Sequence, residues 1–168
     1  MVQINFWDEI KEEVSEEESA LAQKVIEHIL LKEGCPFDCE INLTMTDDEG
    51  IRTVNNEFRG LDKPTDVLSF PNCDFEVPGD FTQFEAEELF YDCFNPENDC
   101  FVLGDIMISR DRMLVQSEEY GHGITREYAF LIAHSVLHLI GYDHMEESEA
   151  KCMEAKQNQY LNELGITR

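Results

Sequence analysis

Apolar and polar residues follow two different periods in the first third of the chain. Residues 15–33 carry apolar side chains at helical spacing, which predicts a helix that ends at Gly34. Residues 40–46 (EINLTMT) alternate apolar and polar side chains, as expected for a half-buried strand. Residues 47–58 return to the helical period and begin with an aspartate that can cap a helix. This alternation indicates a fold that mixes helices and strands.

Two further strands and three helices are predicted in the rest of the chain. TDVLSF (residues 65–70) reads as a strand stopped by Pro71, and CFVLGDIMIS (residues 100–109) as another, with a hairpin or an irregular loop between them. Helices are predicted at residues 110–120, from near Thr125 to Gly141, and at residues 146–164 with Gly165 as the stop. The length suits one domain, and no linker or repeat divides it. We expect residues 1–168 to form a single α+β domain with a small mixed sheet.

Three of the five histidines lie within the stretch HSVLHLIGYDH, which begins at His134. A helix turns about 100° per residue, so His134 and His138 project from one face one turn apart and can reach the same ion. Gly141 tolerates the left-handed conformation that ends helices, which allows the chain to bring His144 back over the same face. The spacing therefore predicts a metal site with three imidazole ligands.

The predicted ligands favour a catalytic metal over a structural one. Three neutral imidazoles leave the fourth position of a tetrahedral zinc ion open, as in catalytic zinc sites. Zinc is the metal expected, although imidazole ligands also suit nickel and copper. The spacing is that of zinc proteases, but Ser135 stands where those proteases carry the glutamate that acts as general base. His28 and His122 lie apart from the cluster, and we expect them to have structural roles.

The charge of the chain limits its partners. The 37 acidic and 12 basic residues give a formal net charge of −25, which repels polyanions. Residues 74–99 contain acidic side chains and no basic one. A few basic side chains lie in the middle of the chain, and they are Arg52, Arg59, Lys63, Arg110 and Arg112. An anionic substrate must therefore bind to a local basic patch.

The sequence predicts a cytoplasmic protein that does not enter a membrane. The first charged side chain of the N-terminal stretch is Asp8, and this stretch lacks the apolar core of a signal peptide. No run reaches the roughly 18 apolar residues of a membrane span. In the cytoplasm the six cysteines are expected as thiols, and they are Cys35, Cys39, Cys73, Cys93, Cys100 and Cys152.

Three segments carry a resemblance to a known family. NNEFRGLDKPTDVLSFP (residues 55–71), LGDIMIS (residues 103–109), and HSVLHLIGYDH followed by an acidic helix that contains methionine occur together and in this order. This combination resembles the YbeY family of bacterial endoribonucleases, which are ribosomal RNA maturation factors. The resemblance implies a four-stranded mixed sheet packed with helices, similar to a zinc-peptidase core.

The resemblance also implies an activity and its residues. It makes His134, His138 and His144 the metal ligands and Arg59 the residue that meets phosphate. The implied substrate is single-stranded ribosomal RNA, in maturation of the 16S 3′ end and in ribosome quality control, with the small ribosomal subunit and its proteins as partners. The chain departs from the family at Ser135, where glycine is common, and in its long acidic segment 72–100.

Two aspartates are candidates for orienting the histidines. A carboxylate that accepts the second ring N–H of a ligand histidine fixes its orientation, and Asp66 and Asp143 are placed near the motifs that could use one. The alternative is structural, because Asp66 would begin a strand and Asp143 would lie in a turn.

Other classes of protein remain open from the sequence alone. A metallopeptidase would explain the histidine spacing but lacks the adjacent glutamate. A non-catalytic ribosome assembly factor with a structural metal would also fit. For the nuclease, neither the general acid nor the choice between water and the RNA 2′-hydroxyl as attacking group can be assigned.

Overall fold

Residues 1–167 are described by a computed structural model, in which four strands form one sheet. The strands are β1 (Val2–Asp8), β2 (Cys39–Thr46), β3 (Val67–Pro71) and β4 (Phe101–Ser109). Their order in space is β1-β2-β4-β3. β1, β2 and β4 run parallel, whereas β3 is antiparallel to β4 and forms one edge. The predicted mixed sheet is confirmed.

Alternation along β2 separates the two faces of the sheet. Ile41, Leu43 and Met45 are fully buried on the inner face, whereas Asn42 and Thr44 between them are only half-buried on the outer face. β1 lies outside the strands that the sequence predicts. Its outward position Trp7 is a large aromatic residue, and this interrupts the apolar and polar alternation that would otherwise indicate a strand.

Five α-helices are present among residues 1–167. They are α1 (Glu16–Lys32), α2 (Asp48–Arg59), α3 (Arg110–Glu119), α4 (Ile124–Leu139) and α5 (Glu147–Glu163). α1 begins at a capping box, in which Ser15 accepts from the Glu18 backbone N–H and the Glu18 side chain accepts from the Ser15 N–H. None of these helices is long and apolar enough to cross a membrane. Together the sheet and helices form one α+β domain.

α4 lies in the centre of the core and packs against α1, β3, β4, α3 and α5. It begins at Ile124, close to the start predicted near Thr125, and the Gly123 carbonyl accepts from the N–H groups of Arg126 and Glu127. Its last helical residue is Leu139, and Gly141 has a φ of +101°. The predicted stop at this glycine is confirmed.

The acidic segment, residues 72–100, packs an aromatic cluster against the end of the sheet. It forms three short 3₁₀ helices, Phe81–Phe84, Glu87–Leu89 and Tyr91–Cys93, so the irregular alternative to a hairpin is the correct one. The rings in mutual contact are those of Phe37, Phe75, Phe81, Phe84, Phe90, Phe94 and Phe101. The aromatic side chains of the acidic segment therefore extend the hydrophobic core of the domain.

One pair of cysteines corrects the expectation that all six are thiols. The structure joins Cys73 to Cys93 by a disulfide, with Cα atoms 5.9 Å apart. Sequence reasoning from the expected compartment could not show that the folding of the acidic segment brings these two residues together. The remaining cysteines are thiols, and they are Cys35, Cys39, Cys100 and Cys152.

Two glycines allow the acidic segment to approach the end of α4. A Cβ atom at Gly141 would lie 2.7 Å from Cβ of Phe75, closer than side-chain carbons come to one another. At Gly79, which also has a positive φ, a Cβ would lie 2.8 Å from the Tyr142 hydroxyl. The Gly79 N–H donates to the Ile140 carbonyl at 2.9 Å. Both glycines are needed because the backbone of one segment meets the other directly.

Glu33 joins three parts of the fold through its carboxylate. It follows α1, and its side chain is only 5% exposed. The Tyr142 hydroxyl donates to it at 2.7 Å, the Lys156 ammonium at 2.7 Å, and the Tyr160 hydroxyl also donates to it. Tyr142 belongs to the loop after α4, whereas Lys156 and Tyr160 belong to α5. One carboxylate therefore ties α1, this loop and α5 together.

We expect Glu33→Ala to lower the free energy of unfolding by about 2–3 kcal/mol. The substitution leaves three donors without their shared acceptor. Breaking a buried ion pair costs about 3–5 kcal/mol. The expected cost is smaller here because Lys156 is partly exposed. For a chain of this length the melting temperature should fall by about 5–10 °C in thermal unfolding followed by circular dichroism. Glu27→Ala, on the exposed side of α1, is the matched control. Equal melting temperatures for the two variants would contradict the role of Glu33.

Candidate metal centre

The three clustered histidines converge at the end of α4. His134 and His138 lie one turn apart on the helix, with their Nε2 atoms 3.1 Å apart. The ring centroid of His144 lies 5.7 Å from that of His134 and 5.0 Å from that of His138. One nitrogen from each ring lies within 4.8 Å of the others. The structure thus brings together the three residues that the sequence predicts as ligands.

The loop between α4 and His144 is held by backbone hydrogen bonds. The Gly141 N–H donates to the His138 carbonyl at 3.1 Å, and the Tyr142 N–H donates to the Leu137 carbonyl at 3.0 Å. These bonds satisfy carbonyls that the helix end would leave without partners. They direct the chain back across the face that carries His134 and His138, and this return places His144 in the group.

The orientation of His138 follows from the same loop. Its Nδ1 lies 2.9 Å from the Tyr142 carbonyl oxygen. A carbonyl only accepts, so Nδ1 carries the proton and donates, which leaves the lone pair of Nε2 directed toward the other two rings. Tyr142 is itself held by Glu33 through its hydroxyl. Sequence reasoning misses this partner of His138, because the bond uses the backbone of Tyr142 and not its side chain.

The surroundings favour the neutral form of His134 and His138. Burial, followed by the proximity of His134 and His144, lowers the pKa of His138 to about 4. Burial and then His144 lower the pKa of His134, against the opposing effects of Asp66 and a hydrogen bond with Gln157. Neutral imidazoles are the form that binds metal ions. The chemistry of this donor set therefore fits a divalent transition metal.

The histidines line one side of an open cleft of about 600 Å³. Arg59, Asp66 and Asp143, the other three residues singled out from the sequence, line the same cleft. The strand β3 and residues 73–75 of the acidic segment also line this cleft. All six predicted site residues thus share one cavity.

Arg59 reaches the cleft from the last turn of α2. Gly60 follows with a φ of +67° and ends the helix there, while the Asn55 side chain donates to the Lys63 carbonyl at 2.9 Å and holds the next loop. Arg59 is exposed and has no ion pair with any of residues 1–167. Three other arginines are paired: Arg52 with Asp62, Arg110 with Glu18 and Arg112 with Asp48. The guanidinium of Arg59 is thus available to an anion.

The two candidate aspartates bond to neighbours other than the rings. Asp66 accepts from the Val67 N–H at 2.8 Å and from Gln116 at 3.3 Å, and Asp143 accepts from the His144 N–H at 2.7 Å. Neither carboxylate hydrogen-bonds to an imidazole within residues 1–167. Asp66 acts on His134 through its charge, and Asp143 does the same on His138.

Ser135 is fully buried and does not line the cleft, so it offers no group to a reaction there. Gln157 in α5 lies beside His134 and opposes the lowering of its pKa, and no local sequence pattern could indicate this long-range neighbour.

The other two histidines have the structural roles expected of them. His28 hydrogen-bonds to Glu163 at 2.6 Å, and the buried His122 hydrogen-bonds to Glu127 at 2.5 Å. Neither belongs to the metal-ligand group.

An α+β domain with three imidazoles converging on an open cleft has the arrangement of metal-dependent hydrolases. Comparison with known proteins narrows this class: the family model described as Endoribonuclease YbeY matches residues 4–165. The chain belongs to the endoribonuclease YbeY family, and the resemblance stated from the sequence is confirmed.

Several relatives support this membership, and one solved structure shares the fold. Proteins named endoribonuclease YbeY are 51% identical over 88% of both chains in Agathobacter rectalis, and 47% identical over 90% of both chains in Lachnoclostridium phytofermentans. One from Clostridium perfringens is 43% identical over 94% of both chains. The solution structure of TM1509 from Thermotoga maritima is 26% identical, covers 98% of this chain and 89% of its own, and has a TM-score of 0.61.

We expect the purified protein to hold about one divalent metal per chain, bound by the three histidines. His138→Ala should remove most of this metal, because the ligand with the most fixed orientation is lost. Elemental analysis of untagged protein measures the content. Chelation should lower the melting temperature of the wild type, since the ion binds only the folded arrangement. Full metal content in His138→Ala would refute the assignment, and His28→Ala is the control that should retain the metal.

Proposed function

We propose that this chain is a metal-dependent endoribonuclease that cleaves single-stranded ribosomal RNA. One observation carries the proposal: the three-histidine group and the unpaired Arg59 line the same cleft in a member of the endoribonuclease YbeY family. We infer that it acts in the cytoplasm, in 16S 3′-end maturation and ribosome quality control, as the family resemblance implies. Zinc is the metal that we propose, with nickel as the alternative.

In the proposed mechanism the three histidines hold the metal and Arg59 binds the phosphate. His134, His138 and His144 would hold a divalent metal, which would supply Lewis-acid activation of water and of the phosphodiester when bound. The Tyr142 carbonyl keeps His138 in the required tautomer. Arg59 donates to phosphate oxygens with its planar guanidinium, which can bind two oxygens at once and stabilises the charge that develops at phosphorus.

We propose supporting roles for Asp66 and Asp143. Each places negative charge near a ring, and this favours a cation at the histidine group. The buried position of Ser135 weighs against a peptidase, because the residue after the first histidine has no access to the cleft. The remaining alternative is a non-catalytic assembly factor with a structural metal, and a cleavage assay distinguishes it from the nuclease.

Cleavage of a single-stranded RNA oligonucleotide tests the proposal. We expect the wild type to cleave it and chelation to abolish cleavage, with activity restored by added zinc. Arg59→Ala should reduce kcat/KM by a factor of about 10² or more, the effect of removing one preorganised donor. Arg59→Lys should restore only part of this loss, because an ammonium cannot bind two phosphate oxygens in the same way.

Arg126→Ala is the matched control for Arg59. Arg126 is exposed near the start of α4 and does not line the cleft, so its loss changes the net charge equally without touching the site. Metal content and melting temperature should stay unchanged in both variants. Equal loss of cleavage in the two would show a general charge effect, and no cleavage by metal-loaded wild type would overturn the nuclease proposal.

The net charge of −25 bears on the proposed ribosomal partners. Few basic side chains lie near the cleft, so we expect naked RNA to bind with only about 2–4 phosphate contacts, and its log affinity to fall shallowly with log salt. Basic proteins of the small ribosomal subunit could dock on the acidic surface. Binding to naked single-stranded RNA and to small subunits across a salt series measures this. A steep salt dependence for naked RNA, with no preference for the subunit, would contradict it.

A further inference from the structure

The outer face of the sheet carries two rows of side chains that run across the strands. Trp7, Thr44 and Met107 are register partners on β1, β2 and β4 and form one row. Asn5, Asn42, Asp105 and Phe70 form the next row. In this second row Asn5 donates to Asn42 at 3.1 Å, and Asn42 donates to Asp105 at 2.8 Å. A polar ladder therefore lies beside a row that carries the apolar side chains of Trp7 and Met107.

Only part of this face is covered by a helix. α2 contacts β3 and β4, where Ile51 and Leu68 are buried, whereas α1 and α4 belong to the core on the inner face. Between α2 and β1 the face forms a groove of about 560 Å³, which we term the outer groove. The residues that line it include Trp7, Asp8, Glu9, Phe58, Phe70 and Asp105.

Exposed aromatic side chains form two walls of the outer groove. Trp7 is 61% exposed on β1, and Phe58 is 66% exposed on α2. Phe58 packs against Phe70, with ring centroids 5.3 Å apart. Contiguous exposed apolar surface that is rimmed by polar residues is typical of interaction sites. Tryptophan is also among the residues that dominate binding energy at such sites.

The charges at the rim indicate what kind of partner fits. Asp8, Glu9 and Asp105 line the outer groove, and none of the described lining residues is basic. We propose that the outer groove binds a basic amphipathic segment of a partner protein. Apolar side chains of that segment fill the space between Trp7 and Phe58, while its lysines or arginines meet the three carboxylates. An arginine over the Trp7 ring adds a cation–π contact.

The same features weigh against single-stranded RNA as the occupant. Aromatic rings and amides on an open sheet face can stack and hydrogen-bond to bases. Binding of that kind also needs cations along the phosphate backbone. The outer groove offers carboxylates instead, so each phosphate would be repelled.

The outer groove lies next to the metal centre without being part of it. Phe70 on β3 lines both the outer groove and the cleft of the histidines, and Phe58 directly precedes Arg59 on α2. A partner in the groove would thus be held beside the RNA cleft. The inference uses only the shape and charge of the groove, so it stands whether or not the nuclease proposal is correct.

Trp7 is the only tryptophan of the chain, which makes its fluorescence a direct probe of the outer groove. The metal-loaded protein is titrated with a helical peptide of leucine and lysine, with a matched peptide of leucine and glutamate, and with a single-stranded RNA oligonucleotide. We expect the Trp7 emission to shift and reach saturation with the lysine peptide, and with neither of the other two ligands. Phe58→Ala should weaken its binding about tenfold, as truncation of an anchor residue does.

A pair of matched double variants separates the groove from the general acidity of the protein. Asp8→Asn with Asp105→Asn should weaken binding of the lysine peptide about tenfold, and Asn at 105 can still accept from Asn42. Glu87→Gln with Glu88→Gln removes the same charge at exposed positions of the acidic segment and should change affinity less than twofold. Circular dichroism checks that all variants are folded.

Four results would overturn the inference. Equal weakening in the two double variants would show attraction by net charge alone. An emission shift that is larger with RNA than with the lysine peptide would identify a nucleic-acid surface. A shift on dilution of the protein alone would show that a second copy covers the groove. Unchanged emission with the lysine peptide would show that the groove does not bind this class of segment.

Discussion

Three imidazole rings must share a space only a few ångströms across, and much of the C-terminal half of the fold serves this requirement. The helical register of α4 places His134 and His138, but a straight helix could not supply a third ligand. The turn at Gly141 brings His144 back, and burial lowers the pKa of His134 and His138, which keeps these two crowded rings uncharged. The loop that makes this possible is short, so its position depends on the segments that pack against it.

Two distant segments hold that loop in place. Glu33, after the first helix, binds the hydroxyl of Tyr142, whose carbonyl orients His138. The acidic segment presses Phe75 against Gly141 and donates a backbone hydrogen bond from Gly79. The segment that departs most from the expected family pattern is therefore part of the support of the site. Its aromatic interior faces the protein, while most of its carboxylates face solvent.

The sequence predicts what is local and misses what depends on distant contacts. The histidine spacing and Gly141 lie within eleven residues, and the physics of one helix and one turn is enough to bring the ligands together. The sequence does not predict β1, because the apolar Trp7 lies on the exposed face of the sheet and interrupts the alternation of apolar and polar side chains. The Cys73–Cys93 disulfide and the contact between Gln157 and His134 arise only when separate segments pack. No local periodicity records such contacts.

β3 has a further consequence as an edge strand beside the cleft. Its outer edge has no neighbouring strand in the sheet, and an exposed edge of this kind can recruit strands from other molecules and start aggregation. Here the strand is only five residues long and ends at Pro71, which has no N–H to offer an incoming strand. The strong negative charge of the chain adds mutual repulsion between copies. The edge of the cleft can thus stay accessible to a long RNA chain, while copies of the protein do not associate through β3.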